Sequence, residues 1–596
     1  MRRPIRSIVS PSFLIFPALI SLGLSGCGDT SRTLPPPPPH LRSGPLPGPI
    51  TKRGVANLPI SKSALGKTDR PASAEDLARS EEILKNVITL VQTAVTNPGG
   101  SNFDIAIKNL NHYFERGTTA ADFAMPIDSK RFLLRQLPPE LVADLEAPVY
   151  TLRDARHLED CMLYNAIASR VAGEGDDLTR VQRLFDWTIR QVQLVPAQSL
   201  APNGMEQAQV RPYDCLLRGM ATESQGYWAE RGWVFMSLCR QIGIDVGILS
   251  YERPKPSMLM TKPANRNDDP PVFWITTALI NKKLYLFDAQ LGLAIPSADG
   301  KGIATLDEAI DDPRILDRLD LPGQFRYETK ARDLRLSPTK VGILIDASSG
   351  YLSPRSRLLQ KRLTGKNRTI LHRDPAEQRA KFIEALGPNA GEITAWLLPL
   401  QVETNLFKSA QFVAATQASL ILFKGELPLL HARILQLRGE VAEAIQEYVA
   451  LRFAQNALMK DKKTPIIPEV QNALDAYATY FLGQCHLDLG NADQAKLMFL
   501  QILKRLPEPG PGRNAYYMFR WGAESNLGRI NDAQGNRSQA ITYYSQPNPT
   551  NQAPGNFLRA RDLIWSNPMR PIQPPLPPAP LGQTNGAASA AAAVNP

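Results

Sequence analysis

At 596 residues the chain is too long for one hydrophobic core and long enough for several domains. Lys and Arg outnumber Asp and Glu by 68 to 57, and a net charge of +11 over this length calls for no nucleic acid. Its five cysteines are widely spaced, which excludes a disulfide framework. The chain opens on a basic stretch, Met1-Arg-Arg-Pro-Ile-Arg6, followed by an apolar run over 8–24 that Pro11 and Pro17 interrupt. The run is short and ends in small residues, the pattern of a cleaved export signal rather than a transmembrane helix.

Leu24-Ser-Gly-Cys27 then resembles the lipobox of bacterial lipoproteins. The resemblance implies cleavage of residues 1–26, diacylglyceryl attachment to Cys27 and N-acylation by a palmitate-type chain. Each buried methylene contributes ~0.8 kcal/mol, and two or more chains anchor stably to a membrane. Gly28 in place of Asp after the cysteine implies the outer membrane, facing the periplasm. Residues 27–72 read as a tether: Leu34-Pro-Pro-Pro-Pro-Pro39 is extended, at about 3.1 Å per residue.

Residues 73–149 have helical periodicity, with Leu77, Ile83, Leu84, Val87, Leu90 and Val91, then Ile105, Ile107, Leu110 and Phe114. Ser73 can cap the first helix. In the next helix, from Leu152, His157 and Cys161 stand four apart; two ligands are too few for a structural zinc, so no metal or cofactor is expected. A stripe of Leu178, Val181, Leu184, Phe185, Ile189 and Val192 marks an amphipathic helix. A further helix runs through Gly226-Tyr-Trp-Ala-Glu-Arg-Gly-Trp-Val-Phe-Met-Ser-Leu-Cys-Arg-Gln-Ile-Gly-Ile-Asp-Val246. Phe273-Trp-Ile-Thr-Thr-Ala-Leu279 and Leu284-Tyr-Leu-Phe-Asp288 read as strands joined by a turn at Asn281-Lys282-Lys283.

This order resembles the core of transglutaminase-like (papain-like) domains, over 150–325, and implies an α+β fold. In that family a Gly-x-Cys opens a helix ending in Arg-x-x-Gly-Ile-Pro, and a His-x-Trp…Phe-Asp hairpin completes a Cys-His-Asp triad. Arg240, Gly243 and Ile244 match, Asp245 replaces the Pro, and Asp288 matches the triad Asp. The Cys position falls on Trp228 and the His position on Phe273. The six histidines stand at 40, 112, 157, 372, 431 and 486, so none lies within 158–371. A thiolate with a neighbouring base is the nucleophile of this chemistry, so the resemblance implies a pseudoenzyme with no catalytic residue. Trp228, Phe273 and Trp274 would then line the old cleft as a groove for an extended peptide or cell-wall polymer. The competing expectation is an active cysteine peptidase or acyl transferase using Cys215 or Cys239, with His157 as base. The bland expectation makes Trp228 and Trp233 core residues and Asp288 a turn residue.

Residues 326–400 are mixed, with a strand at 341–345 and a helix at 354–363. Arg355, Arg357, Lys361, Arg362, Lys366 and Arg368 there read as a solvated basic helix face. Over 401–550 a pattern recurs: Leu482-Gly483, Gly490, Ala495, Phe499; Leu527-Gly528, Gly535, Ala540, Tyr544; and Ala432, Gly439, Ala444, Tyr448. It is similar to tetratricopeptide (TPR) repeats, which implies an all-α solenoid with a concave face for peptides or proteins. Residues 568–596, rich in Pro and Ala, read as a disordered tail. The expected function is a lipid-anchored envelope scaffold that binds protein or peptide partners, with an adaptor role in outer-membrane assembly as a further alternative.

Overall fold

A computed structural model describes residues 74–94, 101–115, 118–196, 210–223, 229–254, 271–423, 428–453, 468–506 and 515–565. The export signal, Cys27, the tether, Ser73, Trp228 and the tail at 568–596 lie outside these residues. The described chain is mixed α and β, as the sequence predicts. The main helices are α1 (Ala74–Ala94), α2 (Ser101–Glu115), α3 (Leu152–Ala172), α4 (Asp177–Gln191), α5 (Pro212–Arg218), α6 (Ala229–Gln241) and α7 (Pro375–Leu386). They are followed by α8 (Pro428–Arg438), α9 (Val441–Phe453), α10 (Pro468–Asp488), α11 (Ala492–Lys504), α12 (Arg520–Ala533), α13 (Arg537–Tyr544) and α14 (Gln552–Trp565).

The strands are β1 (Gln193–Pro196), β2 (Met220–Glu223), β3 (Asp245–Tyr251), β4 (Val272–Ile280), β5 (Lys283–Asp288), β6 (Leu293–Ala294), β7 (Val341–Asp346) and β8 (Ala390–Trp396). A parallel pair joins β1 to β2, and the other strands form one sheet in the order β6-β5-β4-β3-β7-β8. All its neighbours are antiparallel except β7 and β8. The β4–β5 hairpin closes on two residues, Asn281 and Lys282, at φ 50° and 63°. Positive φ at both central positions is the turn whose twist matches that of the strands. The sequence places Lys283 in the turn as well; it is instead the first residue of β5, paired with Ile280.

Two strands come from beyond residue 325, so the region at 326–400 completes the sheet rather than connecting two units. β7 is buried along its whole length, which is why Val341-Gly-Ile-Leu-Ile345 shows no alternation. One face of the sheet, with Val246, Ile248, Ala278, Phe287, Leu344 and Trp396, packs on α6. The other, with Leu249, Trp274, Leu286, Ile343 and Ile345, packs on Phe382 and Leu386 of α7 and on the helices over 306–336. Helix α6 is buried on every side, and its charged residues are paired there, Glu230 with Arg218, Arg231 with Gln552 and Arg240 with Asp346. At the N-terminal end, α1 and α2 cover α3 through Val87, Leu110, Phe114 and Leu158.

The C-terminal helices pair in sequence, α8 with α9, α10 with α11 and α12 with α13, and each pair packs on the next. The first helix of every pair stops in the same way. Gly439, Gly490 and Gly535 have φ of 96°, 75° and 75°, where a side chain costs energy and glycine does not. The glycine N–H reaches back to Gln436, Leu487 or Asp532, and the following N–H to Leu435, His486 or Asn531. Each helix thus satisfies two otherwise unpaired carbonyls with one motif. A small residue on the first helix then receives the aromatic of the second. A Cβ on Gly483 would fall 2.8 Å from the Phe499 ring, and one on Gly528 2.5 Å from the Tyr544 ring. Ala432 and Tyr448, the residues in the same places of the first pair, are both fully buried.

These hairpins share one hydrophobic core with the sheet and α6. Buried Arg433 of α8 donates to the Leu216 carbonyl at 2.9 and 2.7 Å and lies over the Phe481 ring at 4.0 Å. The Gln193 side chain accepts from the Gly522 N–H at 3.0 Å, and Gln484 donates to the Arg190 carbonyl at 2.9 Å. Helix α14 turns back to the sheet, where Arg559 donates to the Gly292 carbonyl at 3.0 Å.

Candidate functional site

Asp288 ends β5 and is buried. Its Oδ1 accepts the N–H groups of Gln290 and Leu291 at 2.9 and 2.8 Å, and its Oδ2 accepts the Tyr327 hydroxyl at 2.8 Å. The Trp274 indole N–H in turn donates to the Tyr327 oxygen at 2.9 Å. Burial pushes the Asp288 carboxyl up while its hydrogen bonds and Arg231 pull it back. No described Cys or His is among its partners, so its carboxylate organises the end of the hairpin.

Phe273 and Trp274 do not share a surface. Phe273 is 39% exposed and Trp274 only 6%. Trp274 belongs to the core and to the Asp288 hydrogen-bond chain, so it cannot stand beside Phe273 in an open groove. Trp233 is core, with its indole N–H donating to Asp346 at 3.3 Å.

The thiols Cys161, Cys215, Cys239 and Cys485 are all buried and free. Cys215 sits on α5 with its sulfur 3.8 Å from Glu230, which is itself paired with Arg218 at 3.2 Å. Burial pushes the Cys215 thiol up and the Glu230 charge pushes it further. Burial does the same to Cys239. A thiol so raised holds its proton at neutral pH and is a poor nucleophile.

The structure does bring His157 and Cys161 together, with the sulfur 3.6 Å from Nε2. That nitrogen also lies 2.9 Å from the Leu371 carbonyl, while the thiol donates to the Tyr351 hydroxyl at 3.2 Å. Burial pushes the thiol up and the imidazole down. The pair is therefore neutral, the opposite of a thiolate–imidazolium dyad. Gly350 closes over it: a Cβ there would lie 2.2 Å from the His157 ring.

Beside this pair is a buried ionic cluster that the sequence reading missed. Arg240 of α6 pairs with Asp346 at the end of β7 at 2.9 Å and covers the Tyr351 ring at 3.8 Å. Asp346 also accepts the Ser348 N–H at 2.8 Å and its hydroxyl at 2.5 Å. The signal was half visible, since Arg240 belongs to the motif that ends α6; its partner lies 106 residues on. The basic face expected over 355–368 is likewise corrected at its first residue. Arg355 is 3% exposed, pairs with Asp154 at 3.0 Å and donates to the carbonyls of Asp144 and Ala147. A guanidinium supplies five donors, enough to gather carbonyls left open where helices end.

Among the described residues no group of three or more His, Cys, Asp or Glu could hold a metal, and no helix is long and apolar enough to cross a membrane. No protein-family model, curated protein or solved structure matches the chain.

Proposed function

We propose that the chain is a lipid-anchored envelope protein in which a catalytically degenerate transglutaminase-like domain and TPR-type repeats form a scaffold for a protein or peptide partner. The observation that carries the reading is the recurrence in the C-terminal hairpins. Three glycine stops with the same hydrogen bonds, and small residues that receive an aromatic at the same step, are what stacked repeats of this type need. The buried helix α6, followed by the β4–β5 hairpin ending in a firmly held Asp288, supports the transglutaminase-like reading. The raised thiols of Cys215 and Cys239 weigh against the enzyme alternative. The shared core weighs against a spacer role, because neither part can be removed without exposing the other. The anchor rests on Leu24-Ser-Gly-Cys27 alone.

Two experiments on the full chain test the proposal. Labelled palmitate enters the native protein and is lost in Cys27→Ala; incorporation that survives the substitution removes the anchor. Photo-crosslinking residues at Val449 and Leu497, which are 39% and 49% exposed on α9 and α11, yield a discrete adduct in the envelope. The absence of any adduct at either position sinks the scaffold reading.

A further inference from the structure

A separate cavity lies where α3 meets α1, α5 and α8, with neither Asp288 nor any of the thiols discussed above in its lining. It encloses ≈ 210 Å³, less than the roughly 300–1,000 Å³ of sites for drug-sized molecules, so its occupant is small. Leu163 and Ile434 are buried in its floor, and Met162 forms part of the wall. Two charged side chains face it. Glu159 is 9% exposed, and its Oε1 accepts the Tyr213 hydroxyl at 3.3 Å. Its Oε2 takes no protein hydrogen bond among the described residues. Half-buried Arg438 stands at the mouth, where it donates to the carbonyl of exposed Gln92 at 2.6 Å. The charged groups that act most on Glu159 are Asp160, Arg211 and Arg156, not Arg438. The opposite charges therefore face the cavity from separate walls.

Arg211 and Arg156 partly offset the burial of the Glu159 carboxyl, and its second oxygen stays open to a cationic donor, which would favour the ionised form. Met162, Leu163, Ala166 and Ile434 supply the apolar part of the lining, and Tyr213 and Gln92 the polar part beside each charge. We propose that this cavity binds a small zwitterion, an apolar α-amino acid, with its ammonium group on Glu159, its side chain on Met162, Leu163 and Ile434, and its carboxylate on Arg438. A simple anion would meet Glu159, and a simple cation would meet Arg438; a molecule carrying both charges satisfies each wall.

Burial beside Asp160 pushes the Glu159 carboxyl up to about 8. The ammonium group binds the ionised form, so binding releases a proton and strengthens as pH rises. The groups around Glu159 are Asp160 and Arg156 on α3, Arg211 and Tyr213 at α5, and Arg438 on α8. Burial holds Asp160 at about 6, so it is largely ionised above neutral pH.

Calorimetric titration of the full-length chain with glycine, valine, leucine and methionine, and with leucinamide and N-acetylleucine, tests the proposal. At least one apolar amino acid binds, while leucinamide and N-acetylleucine, each lacking one charge, bind about tenfold more weakly than leucine or not at all. Glu159→Gln and Arg438→Met each weaken binding by about tenfold, and affinity rises about tenfold between pH ~6.5 and ~8. Ala166→Phe, which fills the cavity, abolishes binding. Should that variant fail to fold, the two shape-conserving variants decide. The proposal is overturned if no amino acid binds at millimolar concentration, if leucinamide matches leucine, or if Glu159→Gln leaves affinity unchanged.

Discussion

Gly528→Ala asks whether the close helix pairing in the C-terminal hairpins depends on the missing side chain. In the interior of an ordinary helix this change stabilises by about 0.5–1 kcal/mol, because alanine has less backbone freedom to lose. Here the new Cβ would lie 2.5 and 2.6 Å from two carbons of the Tyr544 ring. Carbon atoms in contact sit about 3.5–4.0 Å apart, so the ring must retreat by about 1 Å. Tyr544 is fully buried and cannot swing into solvent. Overpacking of this kind costs about 1–3 kcal/mol, and the propensity gain offsets part of it. The expected net loss is about 1 kcal/mol, and its sign is the diagnostic. Urea unfolding at fixed pH measures it from the midpoint at constant slope. In a Tyr544→Leu background the same substitution becomes neutral or favourable, which gives a coupling energy between the two sites. Gly490→Ala serves as the control: nothing lies within 4 Å of its Cβ, so only its φ of 75° opposes the change. If Gly528→Ala stabilises the protein, or costs the same in both backgrounds, the small-to-aromatic contact does not hold the pair together.

Asp346→Asn leaves the buried Arg240 guanidinium without its counter-charge and is expected to cost on the order of 3–5 kcal/mol; a melting temperature near that of the native chain would refute this. Cys161, Cys215, Cys239 and Cys485 should all resist a thiol reagent at pH ~8 until the chain is unfolded, since burial raises each of them; a fast-reacting native thiol at any of the four revives the enzyme alternative. Burial pushes Glu403, which accepts from Ser349, up to about 7 from 4.5. The stability its protonated form contributes is therefore full below pH 4.5 and is lost as pH rises through about 7. Glu403→Gln should flatten that part of the stability–pH curve, and an unchanged slope would count against it.

Local patterns were legible wherever local physics decides. The α4 stripe, the β-branched runs of β4 and β5, and the glycines at 439, 490 and 535 each act within a few residues of themselves, and each is where the periodicity puts it. Long-range pairing was not legible. The β7 segment reads as an apolar run that suits any buried element, and nothing within it says that its partners are β3 and β8. The buried arginines were hidden for a different reason. Arg355, Arg240 and Arg433 look like surface charges until Asp154, Asp346 and the Leu216 carbonyl arrive from distant parts of the chain. Phe273 and Trp274 show the limit of aligning residue types. Burial separates them, since Phe273 is exposed while Trp274 is held in the core beside Ile275.

His157 and Cys161 make the same point about chemistry. A sulfur 3.6 Å from an imidazole is close enough for proton transfer by distance alone. Transfer to a standing ion pair also requires that the thiol be the stronger acid of the two. Burial acts on the pair in opposite directions, raising the thiol and lowering the imidazole, so it widens the gap that catalysis must close. A catalytic dyad counters this with solvent, a helix N-terminus or a nearby cation aimed at the sulfur. Here the nearest arginine, Arg240, is already spent on Asp346, and Gly350 leaves no room for water against the ring. The pair packs α3 against Gly350 and Tyr351 after β7, and its neutrality is what lets it be buried.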